Sequence, residues 1–157
     1  MTASEKLLDM LHLGPQSAVV VHDPSNMFYL TEGYSGEGLV FISAERRVIV
    51  TDFRYTEQAQ RQAPGFEVEM TDKNRKADQV LAALVRDGRI TELRVETNYL
   101  SVDSYEAIRA AVGEEVSCVP LAEAPQKLRQ IKTPTEVLAI RKACDITSVS
   151  RVVAPFM

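Results

Sequence analysis

Two histidines, two cysteines and scattered carboxylates are the raw material for chemistry in this chain. His22-Asp23 is an HD dipeptide at the end of an apolar run, an arrangement that metal phosphohydrolases use. Such a centre needs further His and Asp ligands converging on the metal, and beyond His12 no third His exists. His22 therefore reads as a polar strand end lining a cleft, and His12 as a solvent-facing helix position. Cys118 and Cys144 have no paired spacing and no His close by, so two reduced, mostly buried thiols are expected. Ser35 lies in Gly33-Tyr34-Ser35-Gly36-Glu37-Gly38, but Gly36 follows it directly, so the G-x-S-x-G elbow of a nucleophile fails. The same glycines reverse the order of a phosphate-binding G-x-G-x-x-G and do not lead from a strand into a helix. A turn at positive φ is the expected role.

Asp52 and Glu96 each fall just beyond a predicted strand end, a common place for functional groups in an α/β sheet. A two-metal nuclease would set carboxylates this way. It would also need a basic footprint for its nucleic acid. Here Lys and Arg total 18 against 22 Asp and Glu, for a net charge of −4. The basic clusters, Arg46-Arg47 and Lys73–Lys76, read as solvated loops or helix starts. No nucleic-acid partner is expected. Spacing alone assembles no catalytic constellation.

The elements that must position these residues are legible in the hydrophobic pattern. Of the 157 residues, 45% are hydrophobic and 25% charged, and a domain of that size buries a core without staples. Thr2 or Ser4 caps a first helix carrying Leu7, Leu8 and Leu11, stopped at Gly14-Pro15. Ala18–Val21 is a buried strand, and residues 23–26 cap a single helical turn over Met27–Leu30. Leu39–Ser43 and Arg47–Thr51 form a β-hairpin. Helices then alternate with strands: a helix ending at Pro64-Gly65, a strand with Phe66, Val68 and Met70, a helix over Asp78–Val85, and a strand at Leu93 and Val95. A helix over Ser101–Val112 and a strand at Val116, Cys118 and Val119 complete the series. This order implies an α/β fold, three-layer α/β/α, with a mixed, roughly six-stranded sheet.

The last stretch differs. Pro125–Ile131 starts a helix, residues 132–134 break it, and Thr135-Glu136 opens another in which Val137, Ile140 and Cys144 share a face. The ending 152–157 is apolar, and an apolar stripe beside it is expected to pack against something further. No stretch approaches the ~18 apolar residues of a membrane span, and the N-terminus is no signal peptide. A cytoplasmic protein with no membrane partner is expected.

Three segments together resemble the N-terminal domain of the creatinase/prolidase superfamily of proline-specific peptidases. Residues 24–38, with Asn26, Tyr29, Leu30 and Thr31, are similar to its N-x-x-Y-L-T-G turn. Residues 51–59, Thr-Asp-Phe-Arg-Tyr-Thr-Glu-Gln-Ala, resemble its T-D-x-R-Y-x-x-Q-A element. Residues 128–143 resemble the R-x-I-K-x-x-x-E join between its two domains. In one departure, Glu32 intervenes between Thr31 and Gly33, either altering peptide-end preference or lengthening a solvent loop.

The resemblance implies a ribonuclease-H-like domain over residues 1–131, followed over 132–157 by a linker and the first helix of a catalytic domain absent from this chain. It places a dinuclear divalent metal centre (Mn, Co or Zn) in that absent domain, with no cofactor and no catalytic residue in this chain. It implies a homodimer acting on short proline-containing peptides, with this domain shaping substrate access. The alternative is a peptidase-like module that binds peptides or proteins without hydrolysis. By position, Asn26, Tyr29, Asp52, Arg54 and Tyr55 are the candidates for the substrate rim. The same residues also fit structural roles: Asp52 as helix N-cap, Arg54 as its ion-pair partner and Tyr55 as core.

Overall fold

The computed structural model describes the backbone of residues 1–153 and the side chains of residues 1–149. Strands β1 (Ser17–Val21), β2 (Leu39–Ser43), β3 (Arg47–Asp52), β4 (Glu67–Thr71), β5 (Glu92–Val95) and β6 (Ser117–Pro120) form one sheet in the order β4-β3-β2-β1-β5-β6. Only β2 runs against its neighbours; β1 pairs parallel with β5, β5 with β6 and β3 with β4. The predicted mixed α/β sheet is therefore present.

The helices are α1 (Ala3–Leu11), α2 (Pro24–Thr31), α3 (Thr56–Gln62), α4 (Ala77–Asp87), α5 (Val102–Val112), α6 (Ala124–Gln130) and α7 (Pro134–Val153). Alternation along β1 sends Val19 and Val21 to one face of the sheet, where Leu7, Met27, Leu30, Ala59 and Ala124 of α1, α2, α3 and α6 meet them. Ala18 and Val20 point to the other face, among Val80, Leu81, Leu84 and Ile108 of α4 and α5. Both faces being covered explains why β1 and β2 read as unbroken apolar runs. Each fully buried Val, Leu or Phe contributes about 1.5–3 kcal/mol.

Three local outcomes differ from the expectations. α2 is two turns long instead of one, because Asp23 accepts from the Ser25 N–H and Pro24 occupies the first turn, where its missing N–H costs nothing. Asp52 does not cap α3. The helix begins four residues later, and Asp52 Oδ1 instead accepts from the Arg54 N–H in the intervening turn. Glu32 does not simply extend a solvent loop. It closes α2 in the left-handed conformation (φ 60°), and its carboxylate accepts from the Ala3 N–H at the start of α1. Gly33 and Gly38 take the expected positive φ, at 149° and 124°.

Thr133 and Glu136 form a capping box that starts α7: the Thr133 N–H donates to Glu136 Oε2 at 2.7 Å, and the Glu136 N–H to Thr133 Oγ1 at 3.3 Å. The stripe predicted there is exposed, with Val137 at 37% and Ile140 at 48%; Cys144 on it is exposed too and Cys118 is half-buried, so the cysteines are not the buried pair expected. The apolar ending 152–157 lies outside the described side chains.

Candidate functional site

Because β1, β3 and β5 run the same way, their carboxyl ends share one edge of the sheet. That edge gathers His22-Asp23, Asp52 and Glu96, the groups the sequence placed at strand ends. They do not form one site. Two polar clusters and a cleft lie along the edge.

The first cluster is buried. Glu96 is 1% exposed, and its carboxylate accepts from the His22 N–H (2.5 Å), the Asp23 N–H (2.8 Å) and Asn26 Nδ2 (2.7 Å). Asn26 is 0% exposed, and its Oδ1 accepts from Arg129 Nη1 of α6 at 3.0 Å. Burial raises the Glu96 pKa, against the lowering pull of those N–H donors, and the Asp23 charge adds to the rise. His22 Nδ1 is buried without a hydrogen-bond partner, and burial pulls the His22 pKa down to about 4. Asn26 thus has both ends of its amide engaged inside the protein and presents neither to solvent.

The second cluster is open. Arg54 donates to both oxygens of Asp52, Nη2 to Oδ2 at 2.7 Å, and lies 3.5 Å from the Glu37 carboxylate. Its guanidinium carbon stands 5.2 Å from the centre of the Tyr55 ring. Those hydrogen bonds from Arg54 hold the Asp52 carboxyl below its ordinary pKa. Beneath, Tyr34 is fully buried and its hydroxyl donates to the Glu37 carbonyl at 2.6 Å, which also receives Thr51 Oγ1 at 2.8 Å. Asp52, Arg54 and Tyr55 are therefore brought together, and both proposed structural roles for Arg54 and Tyr55 are realised: an ion pair, and packing against the core.

Tyr29 lies apart from them, in a cleft of about 750 Å³ between α1 and α2 on one side and α6 and α7 on the other. Phe28, Ala139 and Ile140 give this cleft apolar walls; Lys6, Arg129, Lys132, Glu32 and Glu136 give it charges of both signs. Burial raises the Tyr29 pKa, and the carboxylates of Glu136 and Glu32 add to the effect. Ser35 also lines the cleft and connects it to α3, since its N–H and hydroxyl bond Gln62 Oε1 and it accepts from Gln58 Nε2. Carboxamides cannot take the proton of a serine nucleophile.

Sequence reasoning missed Glu37, Thr51 and Arg129 as partners. Arg129 stood inside the third family-like segment, which was the available clue. Among the described residues no group of three or more His, Cys, Asp or Glu could hold a metal ion. No described helix is long and apolar enough to cross a membrane.

Comparison with known proteins gives this geometry a context. An uncharacterized peptidase, YqhT, of Bacillus subtilis is 32% identical over 90% of this chain and 39% of its own length. A putative Xaa-Pro aminopeptidase of Mycoplasma genitalium is 28% identical, over 38% of its length. The chain thus spans about two fifths of the curated relatives it matches. Among solved structures, an Xaa-Pro dipeptidase from Bacillus anthracis superimposes with a TM-score of 0.87 at 26% identity, covering 99% of this chain and 43% of that one. The N-terminal domain of the cytoplasmic peptidase PepQ from Mycobacterium tuberculosis matches 80% of this chain and 97% of its own, with a TM-score of 0.70 at 28% identity. Residues 5–131 match the model of the creatinase/prolidase N-terminal domain, and the chain belongs to that family.

Proposed function

We propose that this chain is the non-catalytic N-terminal domain of a metal-dependent, cytoplasmic peptidase that cleaves bonds preceding proline, and that it shapes substrate access. The observation that carries this is the family match over residues 5–131 in a chain spanning two fifths of its peptidase relatives. Hydrolysis and its dinuclear metal belong, in this reading, to the remainder of the longer protein. The open Asp52–Arg54–Tyr55 cluster suits a substrate rim: Asp52 holds the guanidinium in place, and Glu37 beside it offers an oxygen to a peptide's charged amino group. Tyr29 serves the same rim from the cleft. Phe53, 77% exposed between Asp52 and Arg54, adds an apolar contact.

The domain also contributes to a homodimer. Support comes from the uncovered Val137 and Ile140 on α7, which a second subunit or the catalytic domain would cover.

The test compares this chain with the longer protein that contains it, using an Xaa-Pro dipeptide with added Mn²⁺ or Co²⁺. Turnover is expected from the longer protein only. Turnover by the 157-residue chain, or none by the longer protein under any metal, overturns the proposal.

A further inference from the structure

The side-chain amide of Asn26 lies between a group that only accepts hydrogen bonds and one that only donates them. Its Nδ2 donates to Glu96 Oε1, and its Oδ1 accepts from Arg129 Nη1. An ionised carboxylate has no proton to give, and a guanidinium has no lone pair to offer. With Glu96 charged, only one of the two orientations of the amide satisfies both neighbours. The carboxylate cannot turn aside, because its other oxygen is held by the N–H groups of His22 and Asp23.

We propose that Asn26 is a two-position relay coupling the charge on Glu96 to the seating of Arg129, and through it to the docking of α6 and the direction of α7. When Glu96 Oε1 takes a proton from solvent it becomes a donor and needs an acceptor. The amide meets that need by rotating Oδ1 toward Glu96. The same rotation turns Nδ2 toward Arg129 and sets donor against donor, so the guanidinium leaves. Arg129 already lines the cleft, together with the carboxylates of Glu32 and Glu136, so its release requires no opening of the core.

The surroundings favour such a device. Burial raises the Glu96 pKa above its ordinary value, and the neighbouring Asp23 carboxylate acts in the same direction. The three N–H donors to Glu96 oppose this without cancelling it. His22, the remaining titratable neighbour, stays neutral down to about pH 4 because it is buried. Arg129, reached through the amide, is the facing charge from α6.

Amide hydrogen exchange of α6, referenced to β1 in the same molecule, tests the relay. In the 157-residue chain, acidification from neutral pH is expected to accelerate α6 exchange about tenfold or more relative to β1, the effect of losing one hydrogen bond to a charged group. Glu96→Gln places a donor where the protonated acid has one. It is expected to show the fast α6 exchange at neutral pH and no further response to acid. Arg129→Met should behave likewise with β1 protection intact. Wild-type α6 protection in Glu96→Gln overturns the relay. Should Glu96→Gln fail to fold, Arg129→Met decides alone: an acid response of α6 that survives in it overturns the relay, and its loss supports it.

Discussion

Replacing Gly38 by alanine tests how the turn before β2 holds the open cluster. Gly38 sits at φ 124°, where an L side chain is strained, and a Cβ built there lies 2.1 Å from the Val50 carbonyl oxygen and 3.1 Å from its carbon. The obstacle is backbone in the middle of a sheet: Val50 is paired with Leu39 on one side and Glu69 on the other, so β3 cannot yield. The backbone strain costs about 1–3 kcal/mol and the forced contact another 1–3. The expected loss is about 4 kcal/mol, a large share of the 5–15 that holds a typical domain. Gly36 makes a control of different character. Its Cβ would meet the buried Tyr34 ring end, with the hydroxyl at 2.5 Å and Cζ at 2.6 Å, so Gly36→Ala should cost about 1–3 kcal/mol. Tyr34→Phe should not rescue it, because the ring carbons remain in the way. Urea unfolding with unchanged m-values measures all three variants. A Gly38→Ala protein within 1 kcal/mol of wild type would refute the reasoning, since neither strain nor clash would then be present. A functional consequence follows in the longer protein. The Glu37 carbonyl, one residue before Gly38, anchors Tyr34 and Thr51, so disturbing the turn moves the Glu37 carboxylate away from Arg54.

Other outcomes follow from the remaining clusters. His22 binds its proton with a pKa of about 4 when folded and 6.5 ordinarily, so the unfolded state holds more protons between those values. Stability is expected to fall as pH drops from 6.5 to about 4, by on the order of 3 kcal/mol, and His22→Gln should flatten that slope in pH-dependent urea melts. Glu96 acts in the opposite sense: its raised pKa lets the folded state bind more protons, so Glu96→Gln should steepen the acid loss. Thr133→Ala removes the cap of α7 and should cost that helix about 1 kcal/mol, seen as reduced helicity by circular dichroism with the sheet signal unchanged. Ile140→Glu should abolish any dimer formed by this chain in light scattering; a dimer that persists excludes the α7 face as its interface. Arg54→Met in the longer protein should raise KM for an Xaa-Pro dipeptide more than it lowers kcat, and unchanged kinetics would remove Arg54 from the rim.

The sheet was legible because its strands are short, β-branched and bounded by turn residues, and the order of elements then dictates a mixed α/β arrangement. Local chemistry was also legible where both partners are close in sequence. Asp52 and Arg54, two residues apart, form the expected ion pair. What stayed hidden was of two kinds. One was turn geometry, as where residues 53–55 separate Asp52 from α3 and cost it the role of N-cap. The other was pairing across the fold. Nothing near Glu96 marks it as fully buried, and nothing near Asn26 points to Arg129, 103 residues away.

The two leading residues of the N-x-x-Y-L segment illustrate why a motif is a poor guide to a role. Asn26 and Tyr29 lie three apart on α2, close together on its surface, and read as letters they are equally available to a ligand. The helix divides by face, not by turn: Pro24, Ser25, Phe28 and Tyr29 line the cleft, whereas Asn26, Met27 and Leu30 are buried. Asn26, in the first turn, meets Glu96 at the end of β5, and its amide closes a buried path to α6. Tyr29, one turn on, packs its ring on the core and lines the cleft under the influence of Glu32 and Glu136. Tyr29 therefore faces the cleft directly, whereas Asn26 reaches it only through Arg129. Substituting each in the longer protein separates the two. Tyr29→Phe should alter peptide kinetics and leave α6 exchange untouched, and Asn26→Leu should loosen α6 first.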